Sequence, residues 1–174
     1  MDGCAAFLAY DTAARELVAR LKYRNARASV PFLARGMAAL APADSDLVTW
    51  APTTPARLRA RGFDQARLLA QAVARDLHLP CRSLLRRGPG PAQTGRDAAA
   101  RLAGPALVAR RSLGGRRVLL VDDVVTTGAT VAAAARVLRE AGAEAVHVVA
   151  AARTPAGRGH VHSAMPALRR QLWK

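Results

Sequence analysis

The chain has 174 residues, enough for one domain with a buried core, and 51% of them are hydrophobic. No apolar run approaches the length of a membrane span and no charged-then-apolar leader opens the chain, so a soluble, cytoplasmic protein is expected. Cys4 and Cys81 are too few and too far apart for a disulfide framework or a zinc site, and Cys81 reads as a packing thiol. The formal charge of +15 is almost all arginine, since Lys22 and Lys174 are the only lysines. Such a charge implies affinity for polyanions. The arginines are scattered and lack interleaved aromatics to stack bases, which favours a solvated cationic surface over a nucleic-acid interface.

In chain order, residues 7–27 read as an amphipathic helix with Leu17 and Leu21 on one face. A second helix is predicted over 31–40, with Pro31 in its first turn. Residues 46–50 form the first core strand and open into Ala51-Pro52-Thr53-Thr54-Pro55. In that loop Thr53 and Thr54 carry free N–H groups, while the prolines stiffen the turn. Arg57, Arg59 and Arg61 follow as a loop before Gly62, and a guanidinium fork suits phosphate oxygens. Asp64 is the expected N-cap of a helix over 65–77, with Leu68, Leu69, Ala72 and Val73 as its apolar stripe. Residues 81–85 make the next strand. The segment 86–104, rich in Gly, Pro, Arg and Ala, is long enough to be a lid. Leu107 and Val108 suggest a short edge strand before the Gly114-Gly115 turn.

The most informative stretch runs from Arg117 to Thr130. Val118 to Val121 reads as a buried parallel strand; Asp122 and Asp123 follow, then Thr126-Thr127-Gly128-Ala129-Thr130. An alanine-rich helix over 131–141 stops at Gly142, and 145–152 completes a strand–helix–strand unit, which places ligands beyond the carboxyl ends of its strands. A helix N-terminus behind a glycine binds phosphate, and the threonine hydroxyls add donors. Ionised Asp only accepts hydrogen bonds, which suits a ribose diol. Neighbours on an ideal strand point to opposite faces, so both acids can reach one sugar only if the strand ends or bends there. No Gly-Lys-Ser/Thr loop and no dinucleotide-type glycine motif is present, which argues against a nucleotide-hydrolysing or dinucleotide fold. The ligand predicted from the residues is a sugar phosphate.

Val118 to Thr130 resembles the phosphoribosyl-pyrophosphate signature of type I phosphoribosyltransferases. Leu21-Lys22-Tyr23, the run from Arg59 to Gln65, and Gln93-Thr94-Gly95 with Arg101 are similar to the ComF family of that superfamily, linked in bacteria to competence and DNA uptake. Two positions depart from the family pattern: Asp64 stands where Asn is more usual, as does Gly104. The resemblance implies an α/β fold, a parallel sheet flanked by helices, with a helical hood over 1–45, a core over 46–154 and a basic extension over 155–174. It implies Asp122 and Asp123 as catalytic acids holding the ribose, and 126–130 as the 5′-phosphate loop. Ala51, Pro52, Thr53, Thr54, Arg57, Arg59 and Arg61 would form the pyrophosphate site, and Arg86, Arg87, Gln93 and Arg101 would belong to a flexible lid. Mg²⁺ would be held through the substrate, with no metal ligand supplied directly by the protein, and transfer would be from phosphoribosyl pyrophosphate to an acceptor that no residue identifies. Other partners implied are competence proteins or single-stranded DNA, and a homodimer. The alternative is a non-catalytic phosphoribosyl-binding accessory protein of DNA uptake. ComF relatives often begin with a cysteine-rich segment able to bind zinc; either this chain lacks it or starts downstream of it. His160 and His162 have no third candidate ligand nearby.

Overall fold

The computed structural model describes residues 1–9, 16, 29–88 and 105–154. Their elements are β1 (Gly3–Ala9), α1 (Ser29–Ala38), β2 (Leu47–Trp50), α2 (Pro55–Arg61), α3 (Gln65–Asp76), β3 (Leu85–Arg87), β4 (Leu107–Ala109), β5 (Arg117–Val125), α4 (Ala129–Glu140) and β6 (Ala145–Arg153). Four strands form one parallel sheet in the order β1-β6-β5-β2, while β3 and β4 pair antiparallel as a separate two-stranded sheet. The fold is α/β, as expected.

Alternation along the central strand sorts the core into two layers. Val118 and Leu120 of β5 pack with Val131, Ala134 and Leu138 of α4, while Leu119 and Val121 pack with Leu33 and Met37 of α1 and Leu69 and Val73 of α3. A strand buried on both faces must be apolar throughout, which is why 118–121 reads as an unbroken hydrophobic run. Gly114 and Gly115, at φ of 55° and 77°, turn the chain into β5, and Gly142 at φ 91° ends α4.

Three expectations need correction. Phe7 does not begin a helix; it lies within β1, which extends the sheet beyond β6, so residues 3–9 belong to the core rather than to a helical hood. A short apolar run of this kind has no periodicity that separates strand from helix. The rest of that expected helix, with Lys22 and Tyr23, lies outside the described residues. Arg57, Arg59 and Arg61 sit on a helix, not in a loop. Pro55 at its first turn, Thr54 accepting a hydrogen bond from Arg57 N–H, and Gly62 at φ 77° define α2 at both ends. The strand expected over 81–85 is reduced to a single bridge to β2, Cys81 opposite Val48, and regular pairing begins at Leu85 against β4. The lid residues Gln93 and Arg101, together with Thr94, Gly95, Gly104 and everything after Thr154, are also outside the described residues. Gly88 N–H bonds Ala106 O at 3.0 Å, extending the β3–β4 pairing by one step.

Candidate phosphoribosyl site

The pair of acids sits where the sheet breaks its own alternation. On β5, Val118 and Leu120 face the α4 layer, yet so does Val125; Leu119 and Val121 face the α1–α3 layer, yet so does Val124. An unbroken strand cannot place residues 118 and 125 on one side, so the parity resets between Val121 and Val124. The neighbouring strands share the reset: the ladder pairs residues on either side of Phe7, Ala151 and Asp123 but skips those three. A bend line thus crosses β1, β6 and β5 at Asp123, which satisfies the condition under which adjacent acids can serve one ligand. The N–H groups freed there turn to side chains. Asp123 N–H donates to Asp122 Oδ1 at 2.9 Å and Val124 N–H to Asp123 Oδ1 at 2.8 Å.

Asp122 is only 9% exposed, and Asp123 is half-buried. Burial, and next the charge of Asp123, push the Asp122 carboxyl well above the usual carboxylate range; Asp64 adds to the effect. A ligand that donates hydrogen bonds or brings positive charge would therefore favour the ionised form of Asp122.

Immediately beyond β5 the chain makes the turn 126–130. Thr154 fastens its start, donating from N–H to Val125 O at 3.0 Å and from its hydroxyl to Thr126 O at 3.4 Å. Gly128 precedes α4 with φ 79°, and no side chain caps this 12-residue helix. Nothing lies within 4 Å of the place a Gly128 Cβ would occupy, so the chain is open to an incoming group at the start of this helix. Thr126 and Thr127 are exposed; Thr127 Oγ1 accepts from Ala129 N–H at 3.4 Å.

The loop 51–54 continues from β2, the neighbour of β5. Only part of its expected donor set is free. Ala51 N–H serves the sheet through Val121 O at 3.3 Å, and Thr53 N–H donates to Asp64 Oδ2 at 3.0 Å. The other oxygen of Asp64 caps α3 through Arg67 N–H at 3.3 Å, so one carboxylate ties the loop to the helix start. Among the described residues, no acceptor takes Thr54 N–H. The sequence marked Asp64 as a cap; its bond to Thr53, eleven residues away, had no local signal.

Arg87 joins the two halves. Its Nε donates to Pro52 O at 3.1 Å, and its guanidinium interacts with Arg57, Asp64 and Asp122. Burial first, and Arg57 second, pull its pKa below the ordinary arginine value. Arg61 lies one turn from Arg57 and donates to Gln65 Oε1 at 2.8 Å. Arg59, two residues from each, falls on the opposite side of α2 and is exposed; Arg86, exposed on β3, alternates away from Arg87. The structure thus gathers Asp64, Arg57, Arg87 and Asp122, and leaves Arg59 and Arg86 outside the group. A groove of about 600 Å³ lined by Arg75, His78 and Cys81 lies at the other end of α3, and burial raises the Cys81 pKa, as expected of a packing thiol.

A family model described as the phosphoribosyl transferase domain matches residues 64–166, more than half of the chain. The chain belongs to this family. This phosphoribosyltransferase domain is also similar to two solved structures. One is the glutamine phosphoribosylpyrophosphate amidotransferase of B. subtilis, complexed with ADP and GMP. It is 27% identical with a TM-score of 0.53, and the match covers 73% of this chain and 27% of that one. The other is described as the allosteric regulatory enzyme of purine biosynthesis, 26% identical with a TM-score of 0.52, covering 73% of this chain and 26% of that one. The phosphoribosyltransferase domain thus spans about a quarter of each of these relatives. No curated protein matches the chain. Among the described residues no helix is long and apolar enough to cross a membrane.

Proposed function

We propose that the chain is a ComF-type phosphoribosyltransferase that binds 5-phosphoribosyl 1-pyrophosphate and transfers its phosphoribosyl group to a nucleophile. The single observation that supports this most is the bend at Asp123, which sets two acids beside an uncapped helix N-terminus and the open space at Gly128. Residues 126–130 would take the 5′-phosphate on the positive end of α4, where Gly128 offers no capping side chain and Thr127 engages only Ala129 N–H. Asp122 and Asp123 would accept the ribose hydroxyls. Thr54 N–H, Arg57 and Arg87 would hold the pyrophosphate.

Among the described residues, no three His, Cys, Asp or Glu side chains gather to hold a metal by themselves. The oxygen donors of the Asp122–Asp123 pair fit a hard cation held mainly by substrate oxygens, and Mg²⁺ bound in this way would offset charge on the departing pyrophosphate. In the transfer, a nitrogen lone pair forms a bond to the anomeric carbon as the bond to pyrophosphate breaks. Pyrophosphate leaves with that electron pair, and the nitrogen gives up its proton. Asp122 and Asp123 fix the ribose so that the anomeric carbon faces the nucleophile, and the residues about 51–54 orient the leaving group.

Calorimetric titration of the wild type and of Asp122→Asn/Asp123→Asn with Mg²⁺ and phosphoribosyl pyrophosphate tests the site; binding by the wild type that the variant loses is expected. Pyrophosphate release on adding bases or amines then identifies the acceptor. Gly104, where the family pattern usually has Asn, and the absence of any residue that identifies the acceptor favour a second reading, a DNA-uptake accessory that catalyses nothing. Tight single-stranded DNA binding at physiological salt, without binding of the phosphosugar, would establish it instead.

A further inference from the structure

Gln65, the first residue of α3, is 4% exposed and carries the one buried side-chain atom without a hydrogen-bond partner among the described residues, Nε2. Its orientation is fixed by charge. Oε1 accepts from Arg61 NH1 at 2.8 Å, and turning the amide over would set its NH₂ against a guanidinium donor. The arrangement therefore directs two N–H groups into a place where the described residues offer no acceptor. Native folds rarely bury an unpaired donor without a use for it. The residue before it, Asp64, is tied to Thr53 of the loop 51–54, so Gln65 begins α3 where that loop is fastened to the helix.

We infer that Gln65 is a further ligand-binding residue, an amide donor held by Arg61 for an oxygen of the diphosphate group bound at loop 51–54. The inference rests on the phosphoribosyl-pyrophosphate reading above. An anion there meets the Asp64 carboxylate, so its binding needs donors that offset that charge; Arg57 and Arg87 supply cations and Gln65 a neutral donor. Nε2 is covered in this structure, so the oxygen reaches it only as the residues around it shift.

The test is calorimetric titration of the full chain with Mg²⁺-pyrophosphate and, separately, with ribose 5-phosphate. Gln65→Met keeps the shape of the side chain and removes the donor. It should bind pyrophosphate roughly tenfold more weakly, bind ribose 5-phosphate as the wild type does, and melt close to the wild type, since removing the unpaired buried donor offsets the lost bond from Arg61. A merely structural glutamine would lower the melting temperature and weaken both ligands together, which overturns the inference, as does unchanged pyrophosphate affinity. Should Gln65→Met not fold, Gln65→Glu keeps the acceptor for Arg61 and replaces the donor with a charge that repels the anion. It should lose pyrophosphate binding by more than tenfold, and wild-type affinity in it would equally end the idea. Failure of the wild type to bind either ligand overturns the phosphoribosyl reading itself, a different result from loss confined to the Gln65 variants.

Discussion

Replacing Asp122 by Asn should stabilise the fold. The carboxyl is 9% exposed, and its ionised form is opposed by burial and by Asp123, with Asp64 adding to the repulsion. Asn keeps the oxygen that accepts Asp123 N–H at 2.9 Å, so the bond at the bend survives while the charge goes. A close pair of like charges in a protein interacts by about 4 kcal/mol at an effective dielectric of 20. The attraction of Arg87 for Asp122, lost in the variant, offsets part of that. A net gain of about 1–2 kcal/mol remains, or about 4 °C in Tm for a chain of this size. The gain depends on pH in a defined direction. The folded carboxyl holds its proton to a higher pH than the unfolded one. Its contribution to stability is therefore complete below the ordinary Asp pKa and is lost as pH rises through the folded value. Asn has no such slope, so the Tm difference should be smallest near pH 4 and open as pH rises. Thermal melts of both proteins across that range measure it. A variant less stable than the wild type at pH 8, or a difference that does not change with pH, would refute the account of Asp122. The same variant should bind phosphoribosyl pyrophosphate poorly, a gain in stability at the expense of the site.

Gly128→Ala places a Cβ where nothing lies within 4 Å, so the cost is conformational: about 1 kcal/mol for a left-handed φ of 79°, read as a drop in Tm. Ribose 5-phosphate affinity should fall further than pyrophosphate affinity in the same variant, by titration. Asp64→Ala releases both Thr53 N–H and Arg67 N–H and should cost about 1–2 kcal/mol in urea unfolding, with faster amide exchange at Thr53; unchanged exchange would disprove the tie. At Gly36 two effects oppose. Helix propensity favours Ala by about 1 kcal/mol, but its Cβ would stand 2.4 Å from the Phe7 ring of β1. Overpacking costs about 1–3 kcal/mol, so Gly36→Ala should destabilise in chemical unfolding, and Phe7→Leu should recover part of the loss.

How much was legible follows from how local each signal is. The strand 118–121, the helix after Gly128 and the cap at Asp64 depend on neighbours a few residues away, and their composition alone specifies them. Asp122 and Asp123 could be marked as candidates because acids after a buried strand and before a glycine turn have few other uses. That they meet at a bend could not be read, because the parity reset is shared with Phe7 and Ala151 on other strands. The same holds for β1, whose seven residues become a strand only against β6, and for Arg57, Arg59 and Arg61, equal in sequence but divided by the turn of a helix. Arg87 and Arg86 are adjacent, yet only Arg87 reaches Pro52. Sequence by itself determined the central strand, the helices after Asp64 and Gly128, and the chemistry their residues offer. Tertiary structure decided which of those groups are buried together, because burial, charge coupling and hydrogen-bond satisfaction are set by distances between segments that lie tens of residues apart.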